Sequence, residues 1–245
     1  MTNSNTILET NCLLIDKRLN SGLELISKHY DVSEFDVDTV LANPVIGNRP
    51  HHARHFDIKG VGNLLMMSVK DADENQLSSF VITPYSKNLP LFSTDFVYSG
   101  EKRFFLFEIY DLSVTHDEIY DSGIQTFSAF GKCLSDMPDI PTRPCWYDSI
   151  RPVCFAKAPD ISQDDLSIRR FLEFLELFIS MEQASPALSN EGRQQKWEKN
   201  KEYANRLIDA GGVSTELFTA ELGAENTRRF FHEVFFGSEH YKPVM

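Results

Sequence analysis

Five short apolar or β-rich segments follow one another in the first half of the chain, and they constrain its fold more than any other feature. The segments are Phe56–Ile58, Asn63–Val69, Leu77–Ile82, Asp95–Tyr98 and Arg103–Ile109. Gly60, Pro84, Pro90, Ser99-Gly100 and the acidic stretch of residues 71–75 separate them. Short strands that alternate with turn signals predict an antiparallel meander. The second and fifth segments lack polar alternation, which is typical of strands covered on both faces.

Helical patterns surround this meander. Apolar residues recur at helical spacing in residues 12–30, before the strands. After the strands, helices are predicted over residues 115–135, 163–184, 190–210, 214–222 and 225–236, with Gly237 as the residue that ends the last one. Residues 31–53 are broken by Asn43-Pro44, Gly47 and Pro50, and residues 137–160 contain five prolines, so both predict irregular connections. This order predicts an α+β layered fold, taken as a single domain over residues 1–245.

The charge balance and the cysteines narrow the possible partners and the compartment. With 24 Lys and Arg against 36 Asp and Glu, the net charge is −12, and no basic run suggests nucleic-acid binding. The sequence has no stretch of about 18 consecutive apolar residues, so we expect no membrane span. The N-terminal residues resemble neither a signal nor a transit peptide, and the four cysteines show no CxxC spacing. We therefore expect a cytoplasmic protein with reduced thiols.

Asp95 stands at the start of an apolar strand, in Leu89-Pro-Leu-Phe-Ser-Thr-Asp95. A buried carboxylate is costly without a partner, and in a pocket its pKa rises, which would make it a proton donor near neutral pH. An aspartate that enters a strand and bonds to nearby backbone is the alternative, which spacing alone favours.

Two further polar groups are candidates. The segment His51-His52-Ala-Arg-His55-Phe-Asp57 contains metal-ligand residue types, but adjacent histidines in a strand point to opposite faces. His55 and Asp57 share one face, so a proton relay is a better hypothesis than a metal site, and a solvent-exposed polar face is the alternative. Asp209 lies in the last turn of a predicted helix, where the helix dipole disfavours it. It is either functional or an exposed residue before a Gly-Gly turn.

The order of these segments resembles that of the ferredoxin-dependent bilin reductases and their relative, red chlorophyll catabolite reductase. The Pro84–Asp95 stretch resembles the central family segment, and Arg54–Asn63 resembles the earlier strand with its acidic residue. Tyr203, Asp209, a Leu-rich stretch that ends at Gly223, and the aromatic Arg228–Phe236 resemble the C-terminal part. The resemblance covers roughly residues 50–237, and the correct order of three segments carries it.

This resemblance implies a three-layer α/β/α sandwich in which an open-chain tetrapyrrole lies between the sheet and the C-terminal helices. It implies reduction of biliverdin or a chlorophyll catabolite by single electrons from reduced ferredoxin, with no bound flavin, nicotinamide or metal. Asp95 would be the central proton donor, Asp57 the acid on the sheet and Asp209 the acid on the helices, with His55 as a secondary candidate. We expect the three aspartates to converge on one cavity.

Two departures from the family pattern bear on this expectation. Some family members carry a histidine on the strand before the central proline, whereas Leu77–Ile82 has none. An acidic ferredoxin would also be repelled by a net charge of −12 unless a local basic patch forms. The candidates for that patch are Arg143, Arg151, Lys157, Arg169 and Arg170. A non-catalytic tetrapyrrole or hydrophobic-ligand binder, and an interaction protein with structural aspartates, remain the alternatives.

Overall fold

The computed structural model describes residues 2–70, 75–211 and 215–244. The first elements are α1 (Thr2–Ser27), β1 (Val32–Glu34), α2 (Thr39–Ala42), β2 (Val45–Ile46) and β3 (Arg49–Pro50). They are followed by β4 (His52–Ile58), β5 (Gly62–Val69), β6 (Gln76–Pro84), β7 (Leu91–Ser99) and β8 (Lys102–Tyr110). The remaining elements are α3 (Glu118–Ala129), β9 (Val153–Lys157), α4 (Asp164–Ala184), α5 (Asn190–Asp209), α6 (Thr215–Arg229) and a π-helical segment, Phe230–Phe235.

A seven-stranded antiparallel sheet in the order β1-β4-β5-β6-β7-β8-β9 forms the centre of the described chain. Strands β4 to β8 pair with their sequence neighbours, so the predicted meander is confirmed. The register aligns one row of side chains across five strands: Ala53, Met67, Ser79, Asp95 and Leu106. Because successive side chains alternate between faces, this whole row projects from one side of the sheet.

Helices α1, α3 and α4 cover one side of the sheet, which we call the N-terminal face. Phe171, Leu175 and Phe178 of α4 are buried at helical spacing, against strand residues such as Phe80 and Phe92. Each such side chain contributes about 1.5–3 kcal/mol through removal of apolar surface from water. The strong helical pattern of residues 163–184 is therefore explained by packing on the sheet.

Helix α5, helix α6 and the π-helical segment cover the opposite side, the C-terminal face. A second core forms there, and it includes Leu65, Val81, Tyr110, Tyr203 and Phe230. One helical layer on each side of a single antiparallel sheet confirms the α+β three-layer sandwich. The two buried faces also explain why β5, which is buried throughout, has no polar alternation.

The structure differs from the expected elements at strand β9 and at the π-helical segment. Strand β9 lies within residues 137–160, where coil was predicted, because Pro152 and Pro159 flank the strand without interrupting it. Gly223, at φ 76°, interrupts α6 between the helices predicted over residues 214–222 and 225–236, in agreement with the sequence, whereas the π-helical form of Phe230–Phe235 was not expected. Gly237 has φ 69°, in agreement with its predicted place after the last helix. The predicted turn over residues 71–75 lies mostly outside the described residues.

Candidate active site

Asp95 lies on β7 with its side chain on the C-terminal face, where it is half-buried. Ser79, directly opposite on β6, donates a hydrogen bond of 2.5 Å from Oγ to Asp95 Oδ1. Burial raises the pKa of the Asp95 carboxyl above its usual value, while the Ser79 hydroxyl and the positive charge of Arg18 lower it. The structure thus places the predicted proton donor on a strand, on the side of the sheet that the C-terminal helices cover.

Glu108 on β8 is a second carboxyl beside Asp95. It faces Ser93 directly, so Asp95 is its diagonal neighbour, with Cβ atoms about 7 Å apart or less by strand geometry. Burial and the negative charge of Asp95 raise the pKa of Glu108, whereas its ion pair with Arg151 lowers it. We call Asp95 and Glu108 the carboxyl pair. Because two close carboxylates do not ionise independently, ionisation of one disfavours ionisation of the other.

Aromatic side chains enclose the Glu108 side of this site. Tyr110 lies 5.8 Å from Tyr147 and 5.5 Å from Tyr203 between ring centroids. Burial and the negative charge of Glu108 raise the pKa values of Tyr110 and Tyr203, so both phenols are neutral hydrogen-bonding groups. Trp146 packs 5.8 Å from Tyr203, and the guanidinium of Arg206 lies 4.3 Å from the Trp146 ring centroid. A cation therefore stands at the edge of an aromatic cluster next to the carboxyl pair.

An apolar strip surrounds Asp95 on the same face of the sheet. Its members are Leu77, Val97, Phe104 and Leu106, and all four are half-buried rather than fully covered. By contrast, Leu65, Val81 and Leu91 on the same face are almost completely buried. The C-terminal helices therefore cover one end of the face and leave the other end partly open, with Asp95 in the open part.

Asp57 and His55 also lie on the C-terminal face, but on β4 and away from Asp95. On β4, Asp57 is four residues beyond Ala53, the residue that aligns with Asp95, and β4 is three strands away from β7. Strand geometry therefore separates Asp57 from Asp95 by roughly 20 Å. Tyr241 donates a hydrogen bond of 2.6 Å to Asp57 Oδ1. His55 contacts Asn63 Oδ1 at 2.9 Å through Nδ1, and burial lowers the pKa of His55. Both side chains hold the C-terminal segment against the sheet.

Asp209 lies at the end of α5, and 65% of its side chain is exposed. Arg228 of α6 donates a hydrogen bond of 2.9 Å to Asp209 Oδ1, which pairs the two helices on the surface. The expected convergence of Asp57, Asp95 and Asp209 on one cavity is therefore wrong. A carboxylate in a last helical turn needs only the neighbouring arginine to offset the helix dipole.

The histidines near β4 also have separate partners. His51 Nδ1 lies 2.9 Å from the carbonyl oxygen of Arg49, and His52 Nδ1 lies 2.8 Å from Asn43 Oδ1. No group of three or more His, Cys, Asp or Glu side chains within the described ranges is arranged to hold a metal ion.

Three of the five candidate cations for a ferredoxin-docking patch have local partners and do not share one surface. Arg151 pairs with Glu108 and Asp148 on the C-terminal face. Lys157 is buried, projects to the opposite face and pairs with Asp139 at 2.6 Å. Arg170 pairs with Glu173 on α4. Arg151 therefore lies on a different side of the sheet from Lys157, and all three cations are paired locally.

Two cavities open elsewhere on the molecule. One has a volume of about 590 Å³ and lies between the start of α5 and the C-terminal segment, lined in part by Tyr85, Arg193 and Tyr241. The other has about 460 Å³ and lies between α1 and strands β4 and β5, lined in part by Asp16 and Arg54. Neither is lined by Asp95 or Glu108.

Comparison with solved structures finds a similar arrangement in phytochromobilin synthase from tomato, in complex with biliverdin. The TM-score is 0.70, and the match covers 94% of this chain and 85% of the other. The two chains share a fold. Their sequences are 12% identical, so the likeness concerns the backbone arrangement alone. No protein-family model matches the sequence, and a search of curated proteins finds no match.

None of the helices in the described part of the chain is long and apolar enough to cross a membrane.

Sequence reasoning did not identify Glu108, Ser79 or Arg18 as parts of the site. Glu108 had a visible signal, because it interrupts the apolar run Phe104-Phe-Leu-Phe107 on a strand that is covered on both faces. Ser79 had none, since its contact with Asp95 depends on the register of two strands. Arg18 looked like one of several polar residues on an amphipathic helix, and only the tertiary structure places it behind Asp95.

Proposed function

We propose that this protein binds an open-chain tetrapyrrole against the C-terminal face of the sheet and reduces it with electrons from reduced ferredoxin. The observation that carries the proposal is the carboxyl pair: Asp95 lies in the partly open end of that face, and the buried Glu108 lies beside it. The shared fold with a biliverdin-bound synthase supports biliverdin as the first substrate to examine. A related chlorophyll catabolite is the second.

The chemistry of the surface suits such a ligand. A linear tetrapyrrole is a large conjugated molecule with an apolar π-surface and pyrrole N–H donors. The half-buried strip of Leu77, Val97, Phe104 and Leu106 offers apolar contact, and the Asp95 carboxyl among these side chains can accept hydrogen bonds from pyrrole nitrogens. Arg206, beside Trp146, is a cation at the edge of this region that can pair with a ligand carboxylate.

In this proposal Asp95 is the proton donor. Reduction of one double bond requires two electrons and two protons, and ferredoxin supplies only the electrons, one at a time. Burial raises the pKa of Asp95 and so favours its protonated form, and Ser79 holds the carboxyl in place. The second proton comes from the neighbouring carboxyl, Glu108, which passes it to Asp95 after the first transfer. The proposal uses no bound flavin, nicotinamide or metal.

A non-catalytic tetrapyrrole binder is the second candidate. One observation favours it: Asp57 and Asp209 have structural partners and do not join Asp95, so the site has fewer acids than the family resemblance implies. In such a protein the same apolar strip would hold the ligand, and the carboxyl pair would orient it without proton transfer.

An anaerobic absorption experiment separates these candidates. Biliverdin is first titrated into the purified protein, and reduced ferredoxin is then added in the absence of oxygen. The proposal predicts a shifted, sharpened bilin band that is replaced by the spectrum of a reduced product. A bound spectrum that stays unchanged after addition of ferredoxin favours the binder. No spectral change on addition of biliverdin, or of a chlorophyll catabolite, contradicts both.

A further inference from the structure

Arg18 of α1 lies directly behind Asp95, on the other side of the sheet. Its Nη1 donates to the carbonyl oxygen of Ser78 at 2.9 Å and to Ser78 Oγ at 2.7 Å. Its Nη2 donates to the carbonyl oxygen of Thr94 at 2.9 Å and also to the Thr94 hydroxyl. Ser78 and Thr94 immediately precede Ser79 and Asp95 in β6 and β7. The guanidinium is therefore fixed against the same two strands that carry the Ser79–Asp95 hydrogen bond.

This arginine has no counter-charge in contact with it. It is completely buried, the four atoms that accept its hydrogen bonds are neutral, and its Nε has no hydrogen-bond partner. No carboxylate within the described residues forms an ion pair with it. The rings of Phe96 and Phe171 lie 3.9 and 4.6 Å from the guanidinium carbon. A buried cation is normally paired, because removing it from water is costly.

A second buried arginine shows the usual solution. Arg103 is almost completely buried on the same face, and it donates two hydrogen bonds to Asp164, at 2.8 and 3.0 Å. Arg18 lacks such a partner, although it is buried at least as deeply. A carboxylate across the sheet is the group that can offset its charge, and Asp95 is placed to do so.

We propose that Arg18 is a positioning residue for Asp95: its guanidinium, fixed behind strands β6 and β7, stabilises the ionised carboxylate on the opposite face. The consequence for turnover rests on the proposed function, but the effect on Asp95 itself does not. A proton donor that is recharged in every turnover works best when its pKa is close to the ambient pH. Arg18 opposes the effect of burial and so keeps Asp95 from holding its proton permanently.

Other charged groups near the two residues do not replace this interaction. On the side of Arg18, the phenol of Tyr98 is neutral because burial raises its pKa to about 12, and Arg103 and Asp164 compensate each other. On the side of Asp95 lie Glu108, with its partner Arg151, and the Cys154 thiol. Burial raises the pKa of Cys154 to about 11, so it too is neutral. The phenols of Tyr110 and Tyr203, beyond Glu108, are also neutral.

The test is an infrared titration of ligand-free protein, in which the carbonyl stretch of protonated Asp95 is assigned by its loss in Asp95→Asn. Arg18→Met is expected to raise the pKa of Asp95 by about one unit, the low end of the range for an opposite charge. Arg18→Lys, which keeps the charge, should remain closer to wild type. Arg103→Met, which removes an equally buried arginine, should leave the Asp95 pKa unchanged.

A second neutral variant protects the test against loss of folding. Arg18→Gln retains donors for the carbonyl groups of Ser78 and Thr94, and thermal unfolding by circular dichroism shows which variants are folded. An unchanged Asp95 pKa in a folded neutral variant overturns the inference. If Arg18→Met and Arg18→Gln both fail to fold while Arg18→Lys folds, the positive charge of Arg18 serves the stability of the fold alone, and the inference is also rejected.

The pH profile of reduction then separates the inference from the proposed function. If both are correct, the alkaline limb of the turnover profile moves up by the same unit as the infrared pKa. If the infrared pKa moves but the protein reduces no tetrapyrrole at any pH, the inference stands and the proposed function fails.

Discussion

Ser79 and Asp95 face each other across β6 and β7, and the serine hydroxyl donates a 2.5 Å hydrogen bond to the carboxylate. The bond stabilises the ionised form of Asp95, so it opposes the effect of burial. A serine hydroxyl carries no charge near neutral pH, so this partner of Asp95 contributes a hydrogen bond alone.

Replacement of this serine should therefore change the proton affinity of Asp95. Ser79→Ala removes a hydrogen bond to a charged group, and we expect the pKa of Asp95 to rise by about one unit. Ser79→Thr, which keeps the hydroxyl, is the matched control and should restore most of the wild-type value. Infrared titration of the carboxyl group measures both. A pKa that is the same in the alanine and wild-type proteins would show that the short contact has no energetic weight.

The contact between Tyr241 and Asp57 predicts a structural role for the β4 carboxylate. Tyr241 stacks on Tyr85 at 4.5 Å and donates to Asp57 Oδ1, so it fixes the C-terminal segment. Tyr241→Phe should lower the free energy of unfolding by about 1 kcal/mol and increase amide hydrogen exchange at the C-terminus. Turnover should stay within about twofold of wild type, because Asp57 is remote from Asp95. A large loss of turnover with unchanged exchange would instead support Asp57 as part of the reaction.

Gly237 illustrates how a backbone position supports the same region. Its φ is 69°, and a Cβ there would lie 2.6 Å from Asn63 Oδ1, the atom that His55 contacts. Gly237→Ala should cost more than the roughly 1–2 kcal/mol of a left-handed residue, because Asn63 must also move. Gly100 also has a positive φ, 59°, but no atom within 4 Å of an added Cβ, so Gly100→Ala is the matched control. If the two variants lose equal free energies of unfolding in urea, Asn63 moves away from the added methyl group at no cost.

Lys196 predicts a pH dependence of stability. It is buried in α5 and donates to the carbonyl oxygens of Leu89 and Leu112, and burial lowers its pKa from 10.5 to about 7. Between these pH values the unfolded chain binds the proton more strongly than the folded chain. The free energy of unfolding should therefore rise with pH from 7 to about 10, by at most about 1.4 kcal/mol per pH unit.

Urea unfolding at pH 7 and pH 9 measures this dependence, with Lys196→Met as the variant that lacks the titrating group. The variant should show a smaller increase than the wild type over this interval. If the two proteins respond to pH equally, Lys196 is charged in the folded state and its two carbonyl contacts offset its burial.

Much of the fold was predictable because local patterns and tertiary packing agree. The meander followed from turn residues between short apolar strands, and α4 followed from the helical spacing of its apolar residues. Strand β9 was missed because it pairs at the edge of the sheet between two prolines, where its neighbour β8 rather than its own sequence determines its conformation. The π-helical segment depends on packing of Phe230 and Phe231 in the core, which no local pattern records.

The site was predictable only in part. Asp95 was identified because a carboxylate in an apolar strand is unusual, and the structure places it on the expected face. The partners of Asp57 and Asp209 come from distant segments, at Tyr241 and Arg228, so sequence alone could not separate functional from structural acids. Arg18 and Asp95 are 77 positions apart and are related only through the thickness of the sheet.

The most direct test of the account is single-turnover reduction of biliverdin by Asp95→Asn, with Asp209→Asn as the control. Asparagine keeps the size of the side chain and a hydrogen-bond acceptor, but it cannot donate the proton. We predict that Asp95→Asn binds biliverdin with the wild-type spectrum but reduces it about 10²–10⁴-fold more slowly. The rate of Asp209→Asn should stay within about twofold of the wild-type rate. Reduction of biliverdin by Asp95→Asn at the wild-type rate would contradict the central claim that this carboxyl supplies the proton.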